Sequence, residues 1–195
     1  MNSKTSICNL ALGYLGQPPI SSIEQENEQA RWLKLFYNSV RDEVLRTHNW
    51  AFASAQKKLV LLQNEPDTRG LYLYKYPADA LFIRRVCAGP AAAKAVAFTE
   101  EFDLATRQRV LVTRAAQAVA VYTRRVTDET QYDSSFVKCF ALALASDTAL
   151  ALTGDVELAA RLQQKYTLYV EEARRVNMSE NFLCASQADI FSEVR

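Results

Sequence analysis

The chain has a single histidine, four cysteines without a Cys-x-x-Cys spacing, five glycines, five prolines and no surplus of either charge across 195 residues. With His48 alone, a His-based zinc centre has no ligand set and a nucleophilic triad has one residue to build on, so neither a metal nor a catalytic histidine is expected. Its place beside Asn49 and Trp50, where a long helical pattern ends, suits capping or packing at a turn. Cys8, Cys87, Cys139 and Cys184 lie more than forty residues apart in sequence and are expected as buried thiols of a reducing compartment, since zinc or disulfide frameworks need closer partners. The few glycines form neither G-x-G-x-x-G nor G-x-x-x-x-G-K-[ST], which leaves no phosphate-cradling loop; no cofactor is expected.

Charge and hydropathy exclude as much. With 23 Lys+Arg against 22 Asp+Glu the formal charge is +1, and residues 1–100 (12 basic, 9 acidic) differ little from the remainder (11 and 13). No basic excess draws the whole chain to nucleic acid or to an anionic membrane. The N-terminus lacks the apolar core of a secretory signal, and Asp147 interrupts the longest apolar run, residues 139–152, well short of a bilayer span; a soluble protein made in the cytoplasm is expected.

What is present is helical at both ends. Residues 3–15 place Ile7, Leu10, Ala11, Tyr14 and Leu15 on one helical face and stop at Gly16 before Pro18 and Pro19. Ser21 with Glu24, or Ser22 with Gln25, offers a capping box for a long helix running to about His48, with Ala30, Leu33, Tyr37, Val40, Val44 and Thr47 at three-four steps. From Trp50 to Val126 the period shortens, predicting strands near 59–62, 71–74, 81–86, 109–113 and 118–125. Helices resume at Asp133 or Ser134. Residues 136–152 are apolar on nearly every face, Gly154-Asp155 turns the chain back, and a fourth helix follows with Ala159, Leu162, Tyr166, Tyr169, Ala173 and Val176 in register. Beyond Met178 the period fades into a polar tail holding Phe182-Leu183 and Ile190-Phe191. The expected fold is mainly α with a β insert (α+β): a four-helix bundle (1–49 and 128–177), a small antiparallel sheet (50–127) and an extended C-terminal arm (178–195).

Few residues suggest chemistry. Glu100, Glu101 and Asp103 fall between predicted strands, where their spacing says nothing about the carboxylate separation a glycosidase requires; a solvated hairpin edge accounts for them. Arg84-Arg85, Arg124-Arg125 and Arg174-Arg175 could contact phosphates, yet they lie in three separate elements and ion pairing explains them. Tyr72, Tyr74 and Tyr76 form a period-two stripe, either half-buried sheet packing or a subunit interface. The residues alone point to a non-enzymatic assembly or interaction protein.

The segment Leu15-Gly16-Gln17-Pro18-Pro19-Ile20-Ser21-Ser22-Ile23, followed by a long helix ending in Asn49-Trp50-Ala51-Phe52, resembles the N-terminal signature of the tail tubular protein A family, the head-to-tail adaptors (connectors, gatekeepers) of short-tailed bacteriophages. The stretch from Leu71 through Tyr74-Lys75-Tyr76-Pro77-Ala78-Asp79 is similar to the Tyr-x-x-Pro-x-Asp of related connectors, as is Tyr122-Thr123-Arg124-Arg125-Val126-Thr127-Asp128 before an alanine-rich helix. The resemblance implies a virion protein at the head-tail junction: a homo-oligomeric, dodecameric ring bound beneath the portal protein, offering a platform to the tail tube or nozzle and letting genomic DNA pass without sequence-specific binding or any membrane. It also implies a motif loop at Gly16, Pro18, Pro19, Ser21 and Ser22, and a portal-docking arm anchored by Phe182, Leu183, Ile190 and Phe191. Phe136, Phe140 and Leu144, with Tyr72 and Tyr74, are the expected subunit interface. The alternatives are a glycan-active tail enzyme using Glu100, Glu101 or Asp103, and a DNA-binding assembly module.

Overall fold

A computed structural model describes the backbone of residues 2–63, 65–89, 94–104 and 106–190, with side chains as far as Arg175. The fold is α+β, with four helices and two antiparallel sheets among these residues. It divides into a helical unit, residues 1–48 with 128–195, and a β unit, residues 49–127.

In the helical unit, α1 (Lys4–Tyr14) opens with a capping box between Ser3 and Ser6 and buries Ile7, Cys8, Ala11 and Leu12. Leu10, expected on the inner face, is largely exposed: the inward stripe is centred one step round the helix. The next helix, α2 (Glu28–Thr47), starts later than the capping-box pattern implied. Ser21 instead donates its hydroxyl to the Gln25 side chain (2.9 Å), and Asn27 takes the N-cap, its side-chain Oδ1 accepting from the Ala30 amide at 2.8 Å. At its other end, Arg174 donates to the Thr47 carbonyl (2.8 Å), satisfying a terminal acceptor that the helix itself cannot bond.

The centre of this unit is α3 (Ser134–Thr153), capped by Asp133, whose side chain accepts from the Phe136 amide at 2.6 Å. It is long and apolar enough to cross a bilayer by length and composition, but α1, α2 and α4 all pack against it. Eleven of its twenty side chains are buried, so its apolarity is used inside the bundle. Phe136, Phe140 and Leu144, expected as subunit interface, are fully buried in this core. Phe140 lies 4.9 Å from the Tyr37 ring and Phe136 lies 4.7 Å from Tyr132. A covered side chain has no surface for a neighbouring subunit, and that assignment is corrected.

Gly154 ends α3 in the left-handed conformation (φ 68°), and Asp155 caps α4 (Val156–Ile190) by accepting from the Leu158 amide at 2.9 Å. The expected extended arm is a second correction, because the backbone stays helical through Ile190. No glycine or proline occurs between Val156 and Ile190, and a lapse in apolar period does not itself break a helix. Phe182, Leu183 and Ile190 therefore sit on helical backbone, whereas Phe191 lies outside the described residues.

The β unit holds two sheets rather than one. Sheet order β1-β7-β3-β4 uses β1 (Ser54–Lys58), β7 (Ala118–Arg124), β3 (Ala80–Ala88) and β4 (Lys94–Val96), while β2 (Tyr72–Lys75), β6 (Gln108–Thr113) and β5 (Phe98–Asp103) form the other in the order β2-β6-β5. Central β7, without a charge before Arg124, is buried on both faces over most of its length. The strand expected at 59–62 reduces to an isolated bridge between Leu61 and Tyr74, and the polar strands β1 and β5 take edge positions that apolar patterning does not signal. One core joins the sheets: Leu59, Tyr74, Ile83, Val86, Leu111, Ala118, Ala120 and Tyr122. Tyr74 is buried here, its hydroxyl donating to the Ala115 carbonyl at 2.6 Å, and Tyr72 packs partly buried against the cluster. The stripe packs in the sheet, and burial removes Tyr74 from the expected interface, while Tyr72 keeps part of its surface exposed.

Replacing Phe140 with Ala should lower unfolding free energy by about 3–5 kcal/mol, while Leu168→Ala, at a site 72% exposed, should change it by less than about 0.5 kcal/mol. Urea denaturation of both variants measures this, and equal effects would contradict the placement of α3 at the centre.

Candidate functional site

The motif loop is built rather than slack. Gly16, at φ 66°, closes α1 in a Schellman arrangement: its own amide donates to the Gly13 carbonyl at 3.3 Å and the Gln17 amide donates to the Leu12 carbonyl at 3.0 Å. Asn9 then brackets Ile20 from inside α1, accepting from the Ile20 amide (2.9 Å) and donating to its carbonyl (3.0 Å). Ile20 and Ile23 are buried, whereas Pro18, Pro19 and Ser21 are exposed and Ser22 is partly so. The prolines are thus displayed on the surface by two buried isoleucines and one asparagine clamp.

A second cluster gathers residues far apart in sequence. The Tyr122 hydroxyl donates to the Asp79 carboxylate, 3.2 Å from each oxygen, and the Arg125 amide donates to the Asp79 carbonyl at 2.7 Å. Arg124 donates to the Phe52 carbonyl at 3.1 Å. Register explains the meeting: β1 and β3 flank β7, so Ser54 pairs with Thr123 on one side and Ala80 with Arg124 on the other. Burial first, and then the Asp79 charge, push the Tyr122 phenol upward, keeping it a neutral donor.

Glu100 and Glu101 of β5 are held by cations. Arg109 pairs with Glu100, and Arg69 makes two bonds of 3.1 Å to Glu101 while its Nε donates to Asp67 at 2.8 Å. Asp103 accepts from the Thr106 hydroxyl at 2.6 Å. The Arg69 bonds hold Glu101 below the usual carboxylate range, and the Leu71 amide foremost does the same for Asp67. A glycosidase acid needs the opposite shift. A hollow of about 380 Å³ in this unit, walled by Leu71, Val96, Phe98 and Val112, contains neither glutamate in its lining.

The remaining candidates have structural work. Arg84 donates to the Thr123 hydroxyl at 2.9 Å and stacks over Phe82, and Arg174 bridges Glu171 and the end of α2. His48 is the partly buried residue closing α2. Cys8, Cys87 and Cys139 are buried free thiols, with burial pushing Cys8 and Cys139 up to about 12; the Cys184 side chain is outside those described.

Sequence reasoning missed a segregation of charge. Divided by fold, the β unit carries 12 Lys+Arg and 6 Asp+Glu, a net +6, and the helical unit carries 11 and 16, a net −5. Halving the chain at residue 100 cuts through the β unit and averages this away. No family model matches the chain, and no curated protein matches it.

Because Glu101 and Asp67 are held below their ordinary values, the Arg69 clamp persists above roughly pH 4 and is lost as pH falls through the depressed values. In Arg69→Ala, carboxyl NMR should show Glu101 titrating at higher pH than in the parent. An unchanged Glu101 midpoint would mean that the guanidinium does not hold it.

Proposed function

We propose that this chain is a structural head-to-tail adaptor of a short-tailed bacteriophage, a ring-forming virion protein seated beneath the portal that joins it to the tail tube or nozzle and lets DNA pass. One observation carries the reading. Three stretches that resemble the adaptor family, around Phe52, around Asp79 and from Tyr122 to Arg125, meet through the Asp79-Tyr122-Arg125 and Arg124-Phe52 bonds. That the three stretches meet in space in this chain supports the reading. The clamped loop at Gly16, Pro18, Pro19, Ser21 and Ser22 adds a surface element of defined shape.

In this reading the protein works by binding, without catalytic residues. The portal contact is assigned to the C-terminal part of α4. At 35 residues against 20 for its antiparallel partner α3, α4 continues past the start of α3 by roughly 15 residues, about 22 Å. A helix longer than its hairpin partner suits docking in a groove of the portal. Phe182, Leu183 and Ile190 lie on this part, and its helical backbone favours docking of a helix over an added strand.

Deleting residues 176–195 should leave the thermal midpoint of the bundle within a few degrees and abolish cosedimentation with DNA-filled heads that lack tails. Full attachment of the truncated chain would remove α4 from the portal contact, and failure of the intact chain to attach would overturn the adaptor reading.

A further inference from the structure

A solvent-facing hollow of about 240 Å³ in the β unit is lined by Lys57, Lys58 and Lys75 together with Tyr76, Pro77, buried Leu59 and exposed Val60, with no carboxylate among the described lining residues. It forms where the chain leaves β1 and crosses to the other sheet: the Leu59 amide donates to Ala118, and Val60 then accepts from the Lys75 amide at 2.8 Å. A lining that mixes lysines with apolar side chains suits a protein partner, since a bare phosphate backbone has no use for the apolar part.

The helical unit carries a knob of the opposite character. At the tip of the α3-α4 hairpin Leu150 is 58% and Val156 is 67% exposed, flanked by Asp155 and Glu157. Asp155 is engaged as the cap of α4 and lies 4.0 Å from Arg161, so Glu157 carries the outward negative charge. The C-terminal dipole of α3 and the N-terminal dipole of α4 oppose each other at the tip, leaving side chains to set the sign.

We infer that the hairpin tip of one copy seats in the lysine-lined hollow of the β unit of a second copy. The charge balance selects this occupant. A net +6 on one unit and −5 on the other nearly cancel within the chain, as a surface made to meet its own complement requires, whereas a nucleic-acid binder has no need of a compensating acidic half. Opposite charges on different units also favour head-to-tail contact over like-to-like pairing, and a head-to-tail contact repeated by rotation closes a ring. The contact deepens the adaptor reading and rests on it for its role in ring closure.

The experiment uses full-length chains carrying Lys57→Glu with Lys75→Glu, or Val156→Lys with Glu157→Lys, checked for native circular dichroism. Sedimentation should show wild-type chains associating at low salt and at least tenfold more weakly in about 0.5 M salt. Each variant alone should associate at least tenfold more weakly than wild type. An equimolar mixture of the two should recover association, because each variant's altered surface then meets its complement on the other. Wild-type chains that stay monomeric, variants that assemble normally, or a mixture that fails to recover would each overturn the contact. So would a lysine variant that keeps assembling but releases a duplex held by wild type, which would make the hollow a nucleic-acid site. Attachment to tailless heads is scored separately: recovery in the mixture without any head binding keeps the contact and rejects the adaptor reading.

Discussion

α3 has almost no polar face to offer water, and the rest of the helical unit is arranged to answer that. Burying a helix on all sides takes several neighbours, and α1, α2 and α4 supply them. The aromatic set Tyr37, Tyr132, Phe136 and Phe140 interlocks at ring separations of 4.7 to 5.8 Å, tying α2 and the turn before α3 to the central rod. Surface features follow from this packing: Asn9 can clamp Ile20 because α1 is pinned by Ile7, Cys8 and Leu12.

The β unit meets a different constraint. Its central strand is covered on both faces, so two sheets share one core and polar segments are displaced to the edges. Glu100, Glu101 and Asp67 are neutralised by Arg109 and Arg69, while Lys57, Lys58 and Lys75 line a hollow. Those pairings use half of the unit's six acids, and the unit keeps a strong basic balance within a nearly neutral protein.

Both ends of the chain were legible where a residue has one thing to do. Gly16 and Gly154 stop helices at positive φ, Asp133 caps α3, and β7, uncharged before Arg124, is interior in its sheet. Reading failed where partners decide. Ser-Ser-Ile-Glu scans as a capping box, but Asn27 holds the cap because Ser21 bonds Gln25. Ser54–Lys58 and Phe98–Asp103 lack strand patterning and become strands only because β7 and β6 offer them a ladder. The faded period after Met178 suggested an arm, yet a stretch free of glycine and proline stays helical.

The order of the helices around a strand-rich middle, the α+β class and the need to cover α3 were determined by the amino-acid sequence, because hydrophobic period, caps and breakers act over a few residues. Which apolar residues remain outside, and where the charges collect, was decided by tertiary structure alone. Burial and field are sums over neighbours that the chain brings together from distant positions: Phe140 is fully buried in a helix that three others cover, and the basic excess of residues 49–127 becomes a shared property only when those residues fold as a unit.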